Sequence, residues 1–180
     1  AAVTGMRVGE IRALSWDCVD FDRGLVRVNK DADRNQIIGE PKTSAAFRTI
    51  GIDAGIVSQM RRWKIDCPAM GAVSVSPHLD GSVAKPMRAA GLCFPTRSGR
   101  LLDYQDCREN ILQPALERAG LSDAWVRAWH TFRHWAASRM IELGKSPKYV
   151  QTKLGHEDIK TTFNRYGHHF DREADAETAE

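Results

Sequence analysis

The segment from residue 130 to residue 170 carries histidine, arginine and tyrosine side chains at spacings that could do chemistry. His130 and Arg133 are three positions apart, so on a helix both side chains leave the same face. His130 and His134 are four apart, as in the zinc-binding HExxH motif, but Thr131 stands where that motif has its glutamate base. These residues could therefore form either a solvated surface pair or part of a functional site. Residues elsewhere in the chain are needed to distinguish the two.

Four short motifs follow one another along the chain. They are TGMRVGEIRALSWDCVDF at 4–21, PKTSAAFRTIGI at 41–52, HTFRH at 130–134 and LGH at 154–156, and Tyr166 lies ten residues beyond the last. In this order they resemble the first arginine box, the lysine-bearing hairpin and the HxxR, LGH and tyrosine series of the tyrosine recombinase, or phage integrase, family. The resemblance covers nearly all of the chain outside residues 66–91. It implies an α+β fold, mainly α-helical, like a tyrosine recombinase catalytic domain with a small three-stranded antiparallel sheet.

The same resemblance implies a site-specific DNA recombinase or integrase. The positions that match the family's catalytic residues are Arg7, Lys42, His130, Arg133, His156 and the nucleophile Tyr166. In that reaction the tyrosine attacks a DNA strand, forms a 3′-phosphotyrosyl link and frees a 5′-hydroxyl, and a 5′-hydroxyl of the partner duplex reverses the step. The bond energy stays in the phosphotyrosine, so the resemblance implies no cofactor, no metal ion and no ATP.

The chemistry of these residue types agrees with that assignment. Guanidinium groups are permanently charged forks that bind the non-bridging oxygens of a phosphate in pairs, which suits the two arginines. A phenol has a pKa of about 10, so it needs a base to attack near pH 7, and His130 is the candidate base for Tyr166. Lys42 can protonate the departing 5′ oxygen, and His156 can donate a hydrogen bond to the same phosphate.

Each assignment has a structural alternative. Arg7 could be an ordinary surface cation, since the helix dipole does not favour a cation in the first turn. Lys42 could be a loop lysine without a role, and Tyr166 could use its ring only for packing. Glu10, in the first motif, is interpreted as a helix-stabilising residue rather than a catalyst. At the level of function, the alternatives are a type IB topoisomerase-like enzyme that relaxes or resolves DNA and a DNA-binding module without catalysis.

Hydrophobic periodicity predicts the elements that carry the motifs. A helix is expected over 5–15, capped by Thr4, with Arg7 in its first turn. Three β-prone runs predict the antiparallel sheet. They lie at 25–28, 36–39 and 47–52. Lys42 falls in the connection between the second run and the third.

Further helices are expected in the second half of the chain. They are 103–119, a helix through Phe132 that is closed by Gly144, and two shorter helices at about 146–153 and 158–165. Gly167 is expected to break the last of them. Residues 1–170 would then form one catalytic domain with a long loop or insertion at 66–91, and 171–180 an acidic tail that cannot pack. The resemblance also implies that the family's N-terminal helix and DNA-clamping domain are missing here.

Charge and composition limit the partners. The chain has 180 residues and a net charge of +3, and eight of its lysines and arginines lie between Arg127 and Arg165, against three acidic residues. This basic stretch predicts a polyanionic partner. The resemblance implies double-stranded DNA, bound by a homo-tetramer, with accessory directionality factors as further candidates. Because no stretch reaches the roughly 20 apolar residues of a membrane helix, we expect no membrane partner and a cytoplasmic, nucleoid-associated protein.

Overall fold

The structure is a computed structural model that describes residues 1–68, 91–121 and 128–178. The strands, in chain order, are β1 Val19–Asp20, β2 Leu25–Val28, β3 Asp31–Ala32, β4 Ile38–Gly39 and β5 Arg48–Gly51. The helices are α1 Val8–Arg12, α2 Ala54–Asp66, α3 Tyr104–Asp106, α4 Gln113–Arg118, α5 Ala128–Glu142, α6 Pro147–Leu154 and α7 Ile159–Thr178. A π-helical stretch, Cys107–Leu112, joins α3 to α4. The fold is thus mainly helical with a small antiparallel sheet, which confirms the predicted class.

A three-stranded antiparallel sheet occupies the N-terminal half, in the order β1–β2–β5. Val26 of β2 lies opposite Ile50 of β5. Because side chains alternate between the two faces of a strand, Val26, Val28 and Ile50 share one face, and all three are buried. They form a hydrophobic core with Met6 and Leu14, which flank α1. The sheet therefore supports the segment that carries the first motif.

The strand composition of this sheet differs from the prediction. The run at 36–39 contributes β4, which pairs with β3 in a separate two-stranded sheet that joins Ala32 to Ile38. The third strand of the main sheet is β1 instead. Arg12 stabilises this separate hairpin, because its guanidinium donates to the carbonyls of Ala32 and Asp33 at 3.3 and 3.1 Å and ties the hairpin to α1.

The first helix is shorter than predicted. It begins at Val8, and Arg7, not Thr4, is its N-cap. Arg7 has an extended backbone, and a capping box forms in which its amide donates to Glu10 Oε2 at 2.8 Å. Gly5 prevents an earlier start, because its φ of +62° is a left-handed conformation that an α-helix does not contain. Arg7 therefore lies ahead of the helix rather than in its first turn.

The helices α5, α6 and α7 pack against one another in the C-terminal half. Their shared core consists of Ala137, Ile141, Val150, Leu154 and Tyr166. Ser146 caps α6 by accepting a hydrogen bond from the amide of Tyr149, and Gly155 ends the helix in the left-handed conformation, with φ of +68°. The tight end at Gly155 turns the chain directly into the segment that leads to α7.

The last helix is much longer than predicted. It runs without a break from Ile159 to Thr178, so the expectation that Gly167 breaks it is wrong. Phe170 packs against the same core as Tyr166, and its ring centroid lies 6.0 Å from that of Phe163. These apolar contacts on both sides of Gly167 outweigh the cost of a glycine within a helix, which is about 1 kcal/mol relative to alanine.

Two predictions concern residues that are described in part or not at all. The loop or insertion expected at 66–91 falls almost entirely on residues 69–90, which lie outside the described ranges. The acidic tail at 171–180 has a helical backbone up to Thr178. Within the described ranges, no helix is both long enough and apolar enough to cross a lipid bilayer.

Candidate active site

The candidate site lies where the segment before α1, the helix α5 and the turn from α6 to α7 meet. Arg133, from α5, is buried there, with 6% of its surface exposed. Its Nη1 donates to the carbonyl of Gly5 and its Nη2 to the carbonyl of Leu154, each at 2.6 Å. One guanidinium thus joins three segments that are far apart in sequence. The neutral carbonyls orient it without cancelling its charge.

Arg7 reaches the same turn. Its Nη2 donates to the carbonyl of Gly155 at 3.3 Å, and this carbonyl follows directly on the one that Arg133 binds. Its side chain is 38% exposed, so part of it remains open to solvent. Burial first, and then the charge of Arg7, lowers the pKa of Arg133 to about 9, which leaves Arg133 charged at pH 7. Two cations therefore stand together at the C-terminal end of α6, where the last carbonyls of a helix favour positive charge.

A buried carboxylate positions Arg7. Glu10 is 1% exposed and accepts from Arg7 Nη1 at 3.0 Å and from Nη1 and Nη2 of Arg48 at 2.9 and 2.8 Å. Burial alone would raise the pKa of Glu10, but the hydrogen bonds and charges of Arg48 and Arg7 outweigh it and lower that pKa. Arg48 is 4% exposed and also donates from Nε to the carbonyl of Lys153 at 2.8 Å. Sequence reasoning missed Arg48, whose available signal was its place at the start of a β-prone run in the second motif.

His156 follows directly on the Gly155 cap and is 6% exposed. Its Nδ1 lies 2.9 Å from the hydroxyl of Thr162, a fully buried residue of α7. Burial first, and then the charges of Arg133 and Arg7, lowers the pKa of His156 to about 4, so its ring is neutral at pH 7. A neutral imidazole whose Nδ1 accepts from a hydroxyl carries its proton on Nε2. In the tautomer in which Thr162 donates to Nδ1, His156 can donate a hydrogen bond from Nε2 to an anion held by the arginines.

We expect His156 to titrate near pH 4 in the folded chain. Its pKa in an unfolded chain is about 6.5, so the unfolded state takes up a proton first as the pH falls. This group therefore destabilises the fold progressively from about pH 6.5 to about pH 4. An NMR titration of the Cε1 proton of His156, with the exposed His130 as internal comparison, measures the midpoint. A midpoint above pH 6 for His156 would contradict the buried, neutral ring.

Tyr166 lies within α7 and is almost completely covered, with 2% exposed. Its hydroxyl is 2.8 Å from Nδ1 of His134, and the two ring centroids are 5.6 Å apart. Burial raises the pKa of this phenol above its usual value, although the charges of Arg133 and Arg165 act in the opposite direction. Sequence reasoning considered His134 only as a zinc ligand and missed this contact. Nothing in the spacing indicated it, since the two residues are 32 positions apart.

His130 is exposed on α5, one turn before His134. Partial desolvation first, and then the charges of Arg133, Arg165 and Arg7, lowers its pKa, so it lies within electrostatic range of both site arginines. The zinc interpretation of the two histidines lacks further ligands in the described ranges, where no group of three or more histidine, cysteine, aspartate or glutamate side chains could hold a metal ion.

Lys42 is exposed in the connection between β4 and β5, the loop in which it was predicted. Its charge acts on Asp31, whose pKa is raised by burial and by Glu10 against the opposing charges of Arg7 and Lys42. Among the described residues no hydrogen bond or ion pair holds the Lys42 ammonium. The structure therefore brings five of the six predicted site residues together and leaves Lys42 at the edge of the group.

A mainly helical domain that gathers arginines, histidines and a tyrosine around one helix turn, in this motif order, has the architecture of a tyrosine recombinase catalytic domain. Comparison with known proteins agrees with that class. The chain belongs to the phage integrase family, whose model matches residues 1–173.

Individual relatives carry names from the same family. The chain is 28% identical over 177 residues to the tyrosine recombinase XerC-like protein of Caldanaerobacter subterraneus subsp. tengcongensis, over 92% of this chain and 43% of that protein. It is 25% identical over 174 residues to the prophage integrase IntR of Escherichia coli, over 93% of this chain and 41% of that protein. The chain thus spans less than half the length of these relatives.

Solved structures share the fold. The integrase of the transposon Tn1549, in complex with transposon right end DNA, matches with a TM-score of 0.76 at 22% identity, over 99% of this chain and 55% of that chain. The XerH site-specific recombinase bound to palindromic difH substrate matches with a TM-score of 0.63 at 18% identity, over 98% of this chain and 42% of that chain.

Proposed function

We propose that this chain is the catalytic domain of a site-specific DNA recombinase, or integrase, that cuts and rejoins strands through a 3′-phosphotyrosyl intermediate. The observation that carries the proposal is the pair Arg7 and Arg133, held on consecutive carbonyls of one helix turn. Two adjacent guanidinium groups suit the non-bridging oxygens of a phosphodiester. The names of the relatives, recombinases and integrases, support the same reaction.

The arginines and two histidines would bind the phosphate under attack. Arg7 and Arg133 would stabilise the negative charge that develops on its non-bridging oxygens, since a guanidinium group is a cationic fork that matches two oxygens of a phosphate. His156 would add a hydrogen bond from Nε2, the nitrogen that Thr162 leaves unoccupied. The exposed ring of His130 would face the same phosphate from α5.

Tyr166 would be the nucleophile. Its Oη would attack the phosphorus, the phenolic proton would leave to a base, and the bond from phosphorus to the 5′ oxygen would break. Lys42, exposed on its loop, would give a proton to that oxygen. Because Tyr166 is 2% exposed in the free chain, the proposal requires DNA binding or assembly to uncover the phenol.

The proposed partners are double-stranded DNA and further copies of the chain, assembled as a tetramer, with accessory directionality factors as modulators. The described C-terminal helices and their turns carry exposed cations to which DNA would bind, namely Arg139, Lys145, Lys148, Lys160 and Arg165. A polyanion would bind there with strong dependence on salt. On this proposal the protein works in the cytoplasm, on the DNA of the nucleoid.

A suicide-substrate assay tests the proposed reaction. The chain is incubated with nicked duplexes of randomised sequence, whose short 5′-hydroxyl fragment diffuses away after cleavage. We expect a covalent DNA adduct on a denaturing gel, without ATP or added metal and with EDTA present, because the phosphotyrosine keeps the bond energy and the arginines supply the charge stabilisation.

Three other outcomes would contradict the proposal in different ways. An adduct that requires a divalent ion would favour the metal interpretation of His130 and His134. Salt-sensitive binding without any adduct would favour a DNA-binding module. Relaxation of a supercoiled plasmid without exchange between two sites would favour a topoisomerase-like enzyme.

A further inference from the structure

Among the described residues, the hydrogen-bonding partner of the Tyr166 hydroxyl is His134. The distance from Oη to Nδ1 is 2.8 Å, whereas the ring of Tyr166 packs in a core of Ala137, Ile141 and other apolar side chains. A hydroxyl in such a place needs a hydrogen-bonding partner, because leaving it unpaired costs free energy. His134 itself is exposed on α5, so it links the covered phenol to the surface.

The protonation states of the two groups allow the phenol to be the donor of this hydrogen bond. Burial raises the pKa of Tyr166, so the phenol keeps its proton at pH 7. Desolvation first, and then the charges of Arg165 from α7 and of His130 and Arg133 from α5, lowers the pKa of His134, so its ring is neutral at pH 7. A neutral phenol can donate to a neutral imidazole nitrogen, and Nδ1 of His134 is then the acceptor.

His130 occupies a different position. It lies one turn before His134 on α5, and its pKa responds to Arg133 and Arg7, the two arginines of the proposed phosphate site. Within the described parts of the chain it makes no hydrogen bond to Tyr166. Among the described residues, His134 is thus the imidazole of the motif HTFRH that contacts the phenol, whereas the charge of Arg7 acts on His130.

We propose that His134 is the general base that takes the phenolic proton of Tyr166. This inference rests on the proposed function, in which Tyr166 is the nucleophile. In the step, the O–H bond of Tyr166 breaks and its proton moves to Nδ1 of His134, which becomes a cation. Oη forms a bond to phosphorus, the bond from phosphorus to the 5′ oxygen breaks, and that oxygen takes a proton from Lys42. Rejoining returns each proton to its origin.

The test is the single-turnover rate of adduct formation as a function of pH, on one nicked duplex that the wild-type chain cleaves. His134→Ala is expected to slow the step by about a hundredfold to ten-thousandfold, the usual contribution of a positioned base. The wild-type rate should fall as the pH drops and His134 becomes protonated. The His134→Ala rate should instead keep rising with pH, since only hydroxide remains to ionise the phenol, and added imidazole should restore part of it.

Two further variants separate proton transfer from positioning. His134→Gln keeps a hydrogen-bonding group beside Tyr166 but cannot take up its proton, so we expect it to be as slow as His134→Ala. His130→Ala removes the other imidazole of the same helix. It should lower the rate but preserve the acidic limb of the pH–rate profile, which is the fall in rate at low pH that the wild-type chain shows. Circular dichroism of each variant establishes that the fold is retained.

The results distinguish failure of this inference from failure of the proposed function. A wild-type rate and profile in His134→Gln would reduce His134 to a positioning residue and overturn the assignment. Loss of the acidic limb in His130→Ala alone would make His130 the base. If the wild-type chain forms no adduct at any pH, or if the adduct survives in Tyr166→Phe, the proposed function fails and the inference falls with it.

Discussion

Tyr166→Phe is expected to abolish covalent capture of DNA and to leave the fold nearly intact. The substitution removes one oxygen, the proposed attacking atom, and keeps the ring that packs with the core of α5 and α6. The folded state loses only the hydrogen bond to His134, which corresponds to about 1 kcal/mol of stability. The adduct is measured on a denaturing gel with the nicked duplex, DNA binding by titration at fixed salt, and stability by urea unfolding.

A matched control exists because the chain has two other tyrosines, Tyr104 and Tyr149. Tyr149 is exposed on α6 and lies within 5.9 Å of the ammonium groups of Lys145 and Lys153, measured from its ring centroid. Tyr149→Phe keeps those contacts, so it should form the adduct at the wild-type level. Capture that persists in Tyr166→Phe and disappears in Tyr149→Phe would move the nucleophile from α7 to α6.

The parts of the site that lie within one short motif could be predicted from sequence. His130 and Arg133 share a helix face because they are three positions apart, and α5 does end close to Gly144, which has the left-handed φ of +66° expected of a helix end. Lys42 lies between two β-prone runs, so its loop position followed from the strand pattern. In each case the relevant neighbours in space are also neighbours in sequence.

The parts that depend on tertiary packing could not be predicted. Glu10 meets Arg48 across 38 positions, and Tyr166 meets His134 across 32. No periodicity connects such pairs. Gly167 was expected to end α7 on local propensity, but apolar contacts on both sides of it keep the helix intact.

The net charge of the site depends on which groups bind each arginine. Arg133 is oriented by the carbonyls of Gly5 and Leu154, which are neutral, so its full charge remains for an anion. The carboxylate of Glu10 is shared between Arg7 and Arg48, so one negative charge is divided over two cations. The cluster therefore keeps a positive excess while each guanidinium is fixed in direction. Both the net charge of the cluster and the orientation of Arg7 and Arg48 depend on the carboxylate of Glu10.

Glu10→Ala is expected to lower the free energy of unfolding by about 3 to 5 kcal/mol, the usual cost of removing one partner of a buried ion pair. Glu10 and Arg48 have 1% and 4% of their side chains exposed, so the substitution leaves a buried guanidinium without its counter-charge. It also removes the acceptor for the Arg7 amide at the start of α1. Urea unfolding at pH 7 measures the loss. Glu142→Ala is the control, because Glu142 is 52% exposed and pairs with Arg139 at the surface, where such a pair contributes at most about 1 kcal/mol.

Repeating the measurement on Glu10→Gln at several pH values identifies the ionic part of this stabilisation. The pKa of Glu10 is lowered in the fold, so its carboxylate stabilises the folded state fully above its unfolded pKa of about 4.5. That contribution is lost as the pH falls from there through the lower folded pKa, because the unfolded state binds the proton first. The gap in stability between wild type and Glu10→Gln should therefore narrow as the pH falls below the unfolded pKa. A gap that stays constant would mean that Glu10 acts through shape and neutral hydrogen bonds, and that Arg7 keeps its place without the ion pair.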